Sequence, residues 1–271
     1  MRSLQRGFTL IEMITVVVLL GVISVGIGGL IKFGAQIFVD VNNRDDLVGS
    51  ARFAIERLNR EVRGALPNSV RVVGDGNSPQ IRQCLEFIPA IASAVYQDVP
   101  VAPEAPTNSV PVIRFDRTDF SSNLFAVVYP LFPDDLYDGS ATPKAISNLV
   151  ETSTHVWTLT LASAGLFSQD SPTRRLYFVD YPVSYCVQAG KLTRHVKSDF
   201  ADGQPTVSDT SVLMAENLEI KDIDDLSKNY FPFNVSAPTH LRNAILTSEI
   251  RFAKNDERIT FNNETQVINV P

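Results

Sequence analysis

The chain has 271 residues, 44% of them hydrophobic and 20% charged, with a net charge of −6. That acidic balance, with Lys and Arg scattered along the sequence, excludes the electrostatic footprint of a nucleic-acid binder. Sixteen prolines and fourteen glycines argue against a helical bundle, and three dispersed histidines (His155, His195 and His240) exclude a histidine-based metal site. The first predicted element is an apolar helix whose core, Met13 to Ile31, carries no charge and is long enough to cross a bilayer. Arg2 and Arg6 precede it and only Lys32 follows closely. The positive-inside bias then places the N-terminus in the cytoplasm and delivers the rest of the chain across the inner membrane. The apolar run is longer than that of a secretory signal, and no A-x-A site follows it. An uncleaved anchor, or a signal cut on its cytoplasmic side, remains.

One carboxylate, Glu12, stands at the entrance of that run. Arg6-Gly7-Phe8-Thr9-Leu10-Ile11-Glu12, followed by an uninterrupted apolar helix, resembles the type III signal of type IV prepilins and pseudopilins. The resemblance implies cleavage between Gly7 and Phe8, N-methylation of Phe8, and a subunit-docking role for Glu12. A second stretch, "ARFAIERLNREVRGALPNSVRV" at 51–72, is similar to the larger minor pilins of MSHA-type pilus biogenesis and to the J-type pseudopilins of type II secretion. The segments "CLEFIPA" and "VSYC" extend that similarity more weakly.

Several expectations follow from the resemblance. The chain would be a minor type IV pilin that helps to initiate or cap pilus assembly, or alternatively a minor pseudopilin of type II secretion. Its partners would be a prepilin peptidase/methyltransferase, other minor pilins, the major pilin, an inner-membrane assembly platform and the inner membrane itself. It would be a single-pass inner-membrane protein with a periplasmic head, later incorporated into an extracellular pilus. Neither a cofactor nor an enzymatic activity is implied.

The chemistry of Glu12 supports a docking role independently. A charge at the centre of a bilayer costs about 2.5–3.5 kcal/mol on insertion scales, and less near an end, where it can snorkel. Once Gly7 is removed, Phe8 bears a free amine four residues before Glu12, on the same face of a helix reaching back to Phe8. That amine can pair with its own Glu12 or with that of an adjoining helix. In a low-dielectric bundle an unpaired charge is penalised, so such a pair fixes the axial register of neighbours. The competing reading is a tolerated boundary acid.

The helix is predicted to continue to Arg63, giving one long element from about Phe8. Ile37, Val41, Val48, Ala51, Ile55, Leu58 and Val62 form an apolar stripe expected to pack on a soluble domain, with charges on the remaining faces. Gly64 reads as a C-terminal cap and Pro67 as a stop. Gly21, Gly26, Gly28 and Gly29 lie inside the membrane half, where they would permit close helix packing or local melting. The expected organisation is a leader at 1–7, an assembly helix at 8–33, an amphipathic helix at 34–66 and a β-rich domain at 67–271.

Beyond Pro67 the period becomes two. Short β-rich runs are predicted at 70–73, 81–88, 112–115, 124–129, 156–161, 176–179, 183–187, 192–196, 212–220, 245–252, 258–261 and 267–270. "GDGNSP", "QAGK" and "KNDE" read as hairpin turns, and the proline-rich segment 95–111 as an extended loop. The fold class is therefore α+β and pilin-like: a long N-terminal helix packed on an antiparallel β-rich domain.

Cys84 and Cys186 each fall inside a predicted strand. Export places them in an oxidising space, where a pair is expected to bond; two buried free thiols are the alternative. No P-loop, dinucleotide glycine motif or nucleophile elbow is present. Glu219, Asp222, Asp224 and Asp225 form the densest acidic cluster, but they lack the glycine and terminal glutamate of an EF-hand loop. A solvated acidic turn is the stronger reading, and no metal is assigned.

Overall fold

In the computed structural model of the chain, the described residues are 8–74, 82–115, 124–137, 143–205, 210–221, 230–236, 243–255 and 257–267. Helix α1 (Leu10–Arg63) precedes a head built almost wholly from antiparallel strands. The chain divides into two units, Met1–Val48 and Gly49–Pro271, so the last turns of α1 belong to the second.

Within the first unit, α1 runs unbroken through Gly21, Gly26, Gly28 and Gly29. Its two apolar-run hydroxyls are satisfied internally: Thr15 Oγ1 donates to the Glu12 carbonyl at 3.0 Å and Ser24 Oγ to the Leu20 carbonyl at 2.7 Å. Such back-bonding lets hydroxyls sit where no water is present.

Within the second unit, Ala51, Ala54, Ile55, Leu58 and Val62 are buried. The predicted stripe is thus buried from Ala51 onward and half-buried at Val48, whereas Ile37 is 46% and Val41 60% exposed. The helix stops at Arg63, as expected, but Gly64 does not adopt a left-handed conformation. Instead the last turn tightens, with Gly64 N–H donating to the Glu61 carbonyl and Ala65 N–H to that of Val62, each at 3.1 Å.

A five-stranded sheet has the order β1 (Arg71–Val73), β2 (Arg82–Phe87), β9 (Val183–Gln188), β10 (Lys191–Val196), β11 (Thr210–Glu216). A six-stranded sheet has the order β3 (Ala90–Val95), β8 (Arg175–Val179), β5 (Phe125–Val128), β6 (Lys144–Ser153), β7 (Val156–Gly165), β4 (Thr107–Ile113). A bridge between Tyr96 and Val112, and a 2.9 Å bond from Gln97 N–H to the Pro111 carbonyl, join its two outer strands. The six strands therefore close into a small barrel. Val110, Val112, Trp157, Leu159, Leu161, Leu176 and Phe178 belong to its core. Val127, Tyr177 and Val179 belong to a second cluster with Leu66, Ile88 and the short helix α2 (Asp134–Tyr137). Strands β5 and β8 are buried on both faces, which explains why "FAVV" and "RLYFV" read as near-continuous apolar runs.

The barrel and the five-stranded sheet share a ribbon. β2 passes into β3 through Ile88 and Pro89, while β8 returns into β9 through Asp180, Tyr181 and Pro182. A third sheet, β12 (Phe233–Ser236), β13 (Ala244–Lys254) and β14 (Glu257–Val267), joins the five-stranded one through a bridge from Leu218 to Phe252. "QAGK" is a tight hairpin turn, with Ala189 at φ 50 and Gly190 at φ 74, and "KNDE" joins β13 to β14. "GDGNSP" lies largely outside the described residues.

Five elements depart from expectation. β3, β6, β12 and α2 are additional, and β4 begins at Thr107, inside the segment predicted to be a loop. β6 is mostly exposed on both faces, so it carries no period-two signal. Pro111 keeps only an acceptor, and β4 uses that carbonyl for Gln97.

Candidate functional site

The N-terminal site is built around Phe8 and Glu12. α1 begins at Leu10, and the Thr9 carbonyl accepts the N–H groups of Glu12 and Met13 at 3.2 and 3.3 Å. Thr9 is therefore the residue from which the helix starts, and Phe8 precedes it. In the uncleaved chain the helical face thus begins after Phe8; the expectation that Phe8 and Glu12 share a helix face concerns the chain that begins at Phe8. Gly7 lies outside the described residues. Phe8 is 77% exposed and Glu12 is exposed. Glu12 also lies in the first turn, where a carboxylate complements the positive end of the helix dipole.

Behind this site, the large apolar side chains from Leu10 to Ile31 are exposed all round the helix. The segment is long and apolar enough to cross a membrane, and none of it is buried against the rest of the chain. An exposed surface of this kind demands lipid or other helices as its solvent.

The head contributes a buried disulfide, a buried ion-pair network and a half-buried set of polar ties from α1. Cys84 and Cys186 are direct cross-strand partners in β2 and β9 and form a disulfide with Cα atoms 4.0 Å apart. Both are buried.

Next to this pair, Glu86 is buried and accepts from Arg71 Nε at 2.7 Å; Lys197 Nζ lies 3.1 Å from its other oxygen. Lys197 also donates to the Ala201 carbonyl at 2.6 Å and to that of Gly203 at 3.2 Å, tying down the chain after β10. Arg71 reaches Asp202 at 2.6 Å and lies 3.7 Å from the centroid of the Tyr137 ring. Arg71 holds the Asp202 carboxyl below its ordinary range, and burial pushes the Tyr137 hydroxyl well above its own.

On the helix side, Glu61 bridges Arg57 and Arg194, each at 2.9 Å, and so ties the end of α1 to β10. Burial raises the Glu61 carboxyl, but the hydrogen bonds from Arg194 and Arg57 outweigh it and leave the group below the ordinary carboxylate range. Burial and the nearby Glu61 carboxylate together raise the Tyr185 hydroxyl. Asn59 Oδ1 accepts from Asn263 at 2.7 Å and Thr265 at 2.9 Å, which ties the same helix segment to β14.

Sequence reasoning missed the Glu86 and Glu61 networks. The one available signal was an acid set within the apolar stretch "CLEFIPA". Among the described residues, no group of three or more His, Cys, Asp or Glu could hold a metal. Glu219 pairs with Arg258 at 3.1 Å, while Asp222, Asp224 and Asp225 lie outside the described residues.

Residues 2–28 match the family described as the prokaryotic N-terminal methylation motif. Neither a curated protein nor a solved structure matches the chain. The motif supports a type IV pilin-family protein with a pilin-like or pseudopilin role and processing by a prepilin peptidase. With the single apolar helix, it fits a membrane-anchored pilin.

Proposed function

We propose that this chain is a minor pilin of the MSHA type, cut between Gly7 and Phe8 and methylated on the amine of Phe8. The observation that carries the reading is the continuity of the methylation motif at 2–28 with a helix whose apolar side chains find no cover in the chain itself. Such a helix is stable in a bilayer before assembly and among other helices afterwards. Moving from the first to the second preserves its apolar surroundings, so little hydrophobic penalty opposes extraction. Glu12 supplies the directional element. Its carboxylate is exposed at the cytoplasmic end and takes up the amine of a docking neighbour, which sets where along the axis two helices stop. The head stays in the periplasm until assembly, then stands outside the cell.

The head favours a minor subunit that initiates or caps assembly. It is large: among the described residues it has three sheets, one of them closed into a barrel. Repeating that bulk at every position of a packed helical filament would demand space that a terminal position does not. The docking neighbours would be other minor pilins first, then the major pilin, on an inner-membrane assembly platform. A minor pseudopilin of type II secretion shares every N-terminal feature and is the second reading.

N-terminal sequencing of the mature protein tests the processing step: it is expected to begin at a methylated Phe8. A chain that retains Met1, or begins beyond Ile31, overturns the reading. Gene deletion separates the two functions. Loss of pili with secretion intact supports the pilus, and the reverse supports the secretion system.

A further inference from the structure

The loop between β5 and α2 displays a side chain that the fold does not bury. Tyr129, left-handed at φ 47, turns the chain out of β5, and Pro130 and Pro133 fix their own φ angles along the bend. Asp135 Oδ2 accepts the N–H groups of Leu131 and Phe132, each at 3.0 Å, and the Phe132 carbonyl accepts the Asp135 N–H at 3.2 Å. Asn68 Nδ2 donates to the Pro130 carbonyl at 2.9 Å on one side. On the other, Leu136 and Tyr137 are buried, and the Tyr137 hydroxyl donates to the Ser69 carbonyl at 2.8 Å. At the apex of this fixed loop Phe132 is 65% exposed. The turn itself has no need of an aromatic ring there. An exposed ring on a backbone already held in place has the form of an interface anchor, because little ordering is left to be done on binding. Asp134 stands beside it, exposed and with no ion pair among the described residues.

The complement of this knob lies on the same barrel. Val95 and Ile113 are 44% and 45% exposed. They stand side by side where the barrel closes, one residue beyond the Tyr96–Val112 bridge. Arg175 is the direct partner of Val95 across β3 and β8, so its side chain leaves the same outer face. It too is exposed and has no ion pair among the described residues. The patch is apolar with a cationic margin, whereas the knob is aromatic with an anionic one. Both lie toward one end of the barrel, because β5 gives way to the loop after Val128, whose β8 partner is Leu176, next to Arg175. They do not satisfy each other within the chain, since Phe132, Val95 and Ile113 all stay exposed. A knob and its complement at one end of the same body suit a twofold pair, in which each copy gives its own knob and receives the other's.

We propose that the heads of two copies of this chain pair across a twofold axis, each Phe132 seated on the other's Val95 and Ile113, with Asp134 facing Arg175. The contact is made by the barrels alone and stands apart from the cleavage and docking of the N-terminal helix. The net charge of −6 opposes the approach of two copies. Two reciprocal pairs of opposite charge offset that repulsion where the barrels meet. Exposed ion pairs are individually weak, so they select which faces meet, while the two seated rings supply the apolar contact.

The test is photo-cross-linking in membranes holding two differently tagged forms of the full-length chain. One form carries p-benzoylphenylalanine in place of Phe132, which keeps an aromatic ring at the apex; the other is unaltered. Irradiation is expected to give an adduct bearing both tags, with the attachment mapped to peptides containing Val95 or Ile113. Asp134→Arg in the photoreactive form is expected to lower the yield several-fold, and Arg175→Asp in the other form to restore it. The same photoreactive residue in place of Phe53, which is 57% exposed on α1, is expected to give no adduct at those peptides. A second measurement does not depend on the charge variants. Sedimentation of the detergent-solubilised parent is expected to show a dimer at high concentration, and Phe132→Ser, at an exposed position, only the monomer. Absence of the doubly tagged adduct, attachment elsewhere, a yield indifferent to Asp134→Arg, or identical sedimentation of parent and Phe132→Ser overturns the proposal.

Discussion

The side-chain amide of Gln83 completes a backbone pairing with Phe233. Its Nε2 donates to the Phe233 carbonyl at 2.9 Å and its Oε1 accepts the Phe233 N–H at 3.0 Å. One buried glutamine in β2 thus behaves as a missing strand residue for β12 and holds the third sheet against the five-stranded one.

Gln83→Leu would fill much of the same volume and leave both Phe233 backbone groups buried without partners. Such a loss costs about 1–3 kcal/mol. Urea unfolding of the detergent-solubilised chain is expected to show that decrease, whereas substituting an exposed residue such as Gln266 to Leu should change stability by less than about 0.5 kcal/mol.

The Cys84–Cys186 bond spans a sequence separation of 102 residues. A loop of that size contributes about 4–5 kcal/mol by constraining the unfolded chain. A Cys84→Ala, Cys186→Ala variant is expected to lose up to that amount. Because both sulfurs are buried, reductant alone should act slowly on the folded head and quickly in urea, a contrast that thiol labelling would read.

Glu61 gives the head a pH dependence of known sign. Its folded-state carboxyl sits below the ordinary range, so its contribution is present above the unfolded-state value and is lost as pH falls through the folded one. Tyr96 acts at the other end, held at about 12 by burial and by its bond to Asp170. Its contribution is complete below the ordinary tyrosine value and fades as pH rises toward 12. Arg194→Ala should flatten the acid limb of a stability-versus-pH curve and leave the alkaline limb unchanged.

Glu12→Gln is expected to leave membrane insertion and cleavage intact while reducing recovery of the protein in sheared filaments. A neutral amide still tolerates the bilayer edge but cannot pair with a neighbour's amine. Equal recovery of Glu12→Gln and the parent chain would show the carboxylate to be dispensable.

Much of this architecture could be read from local pattern. The apolar N-terminal run, the stop at Arg63 and strands such as β9 and β10 follow from periodicity and from Gly and Pro placement. β6 could not be read, because "KAISNLVETS" is polar on both faces and exists as a strand only through pairing with β5 and β7. The partners of Glu86 were equally hidden: Arg71 and Lys197 are distant in sequence and meet it only after β1, β2 and the chain beyond β10 come together. The N-terminal methylation motif was legible because its residues are contiguous. The head's polar networks were not, because each is assembled across strands.

The shared ribbon makes the barrel a spliced cassette. The whole barrel lies between Phe87 and Val183, which are direct neighbours across β2 and β9. A short turn joining those two residues would excise the barrel and leave the order of the five-stranded sheet untouched. The disulfide sits just on the sheet side of that splice. It therefore works as a clasp: a protease that nicks a barrel loop severs the polypeptide but releases nothing, because the two halves stay bonded through Cys84 and Cys186. On the proposed function, which stands the head outside the cell, the connection between the helix and the C-terminal sheets would outlast the integrity of the backbone.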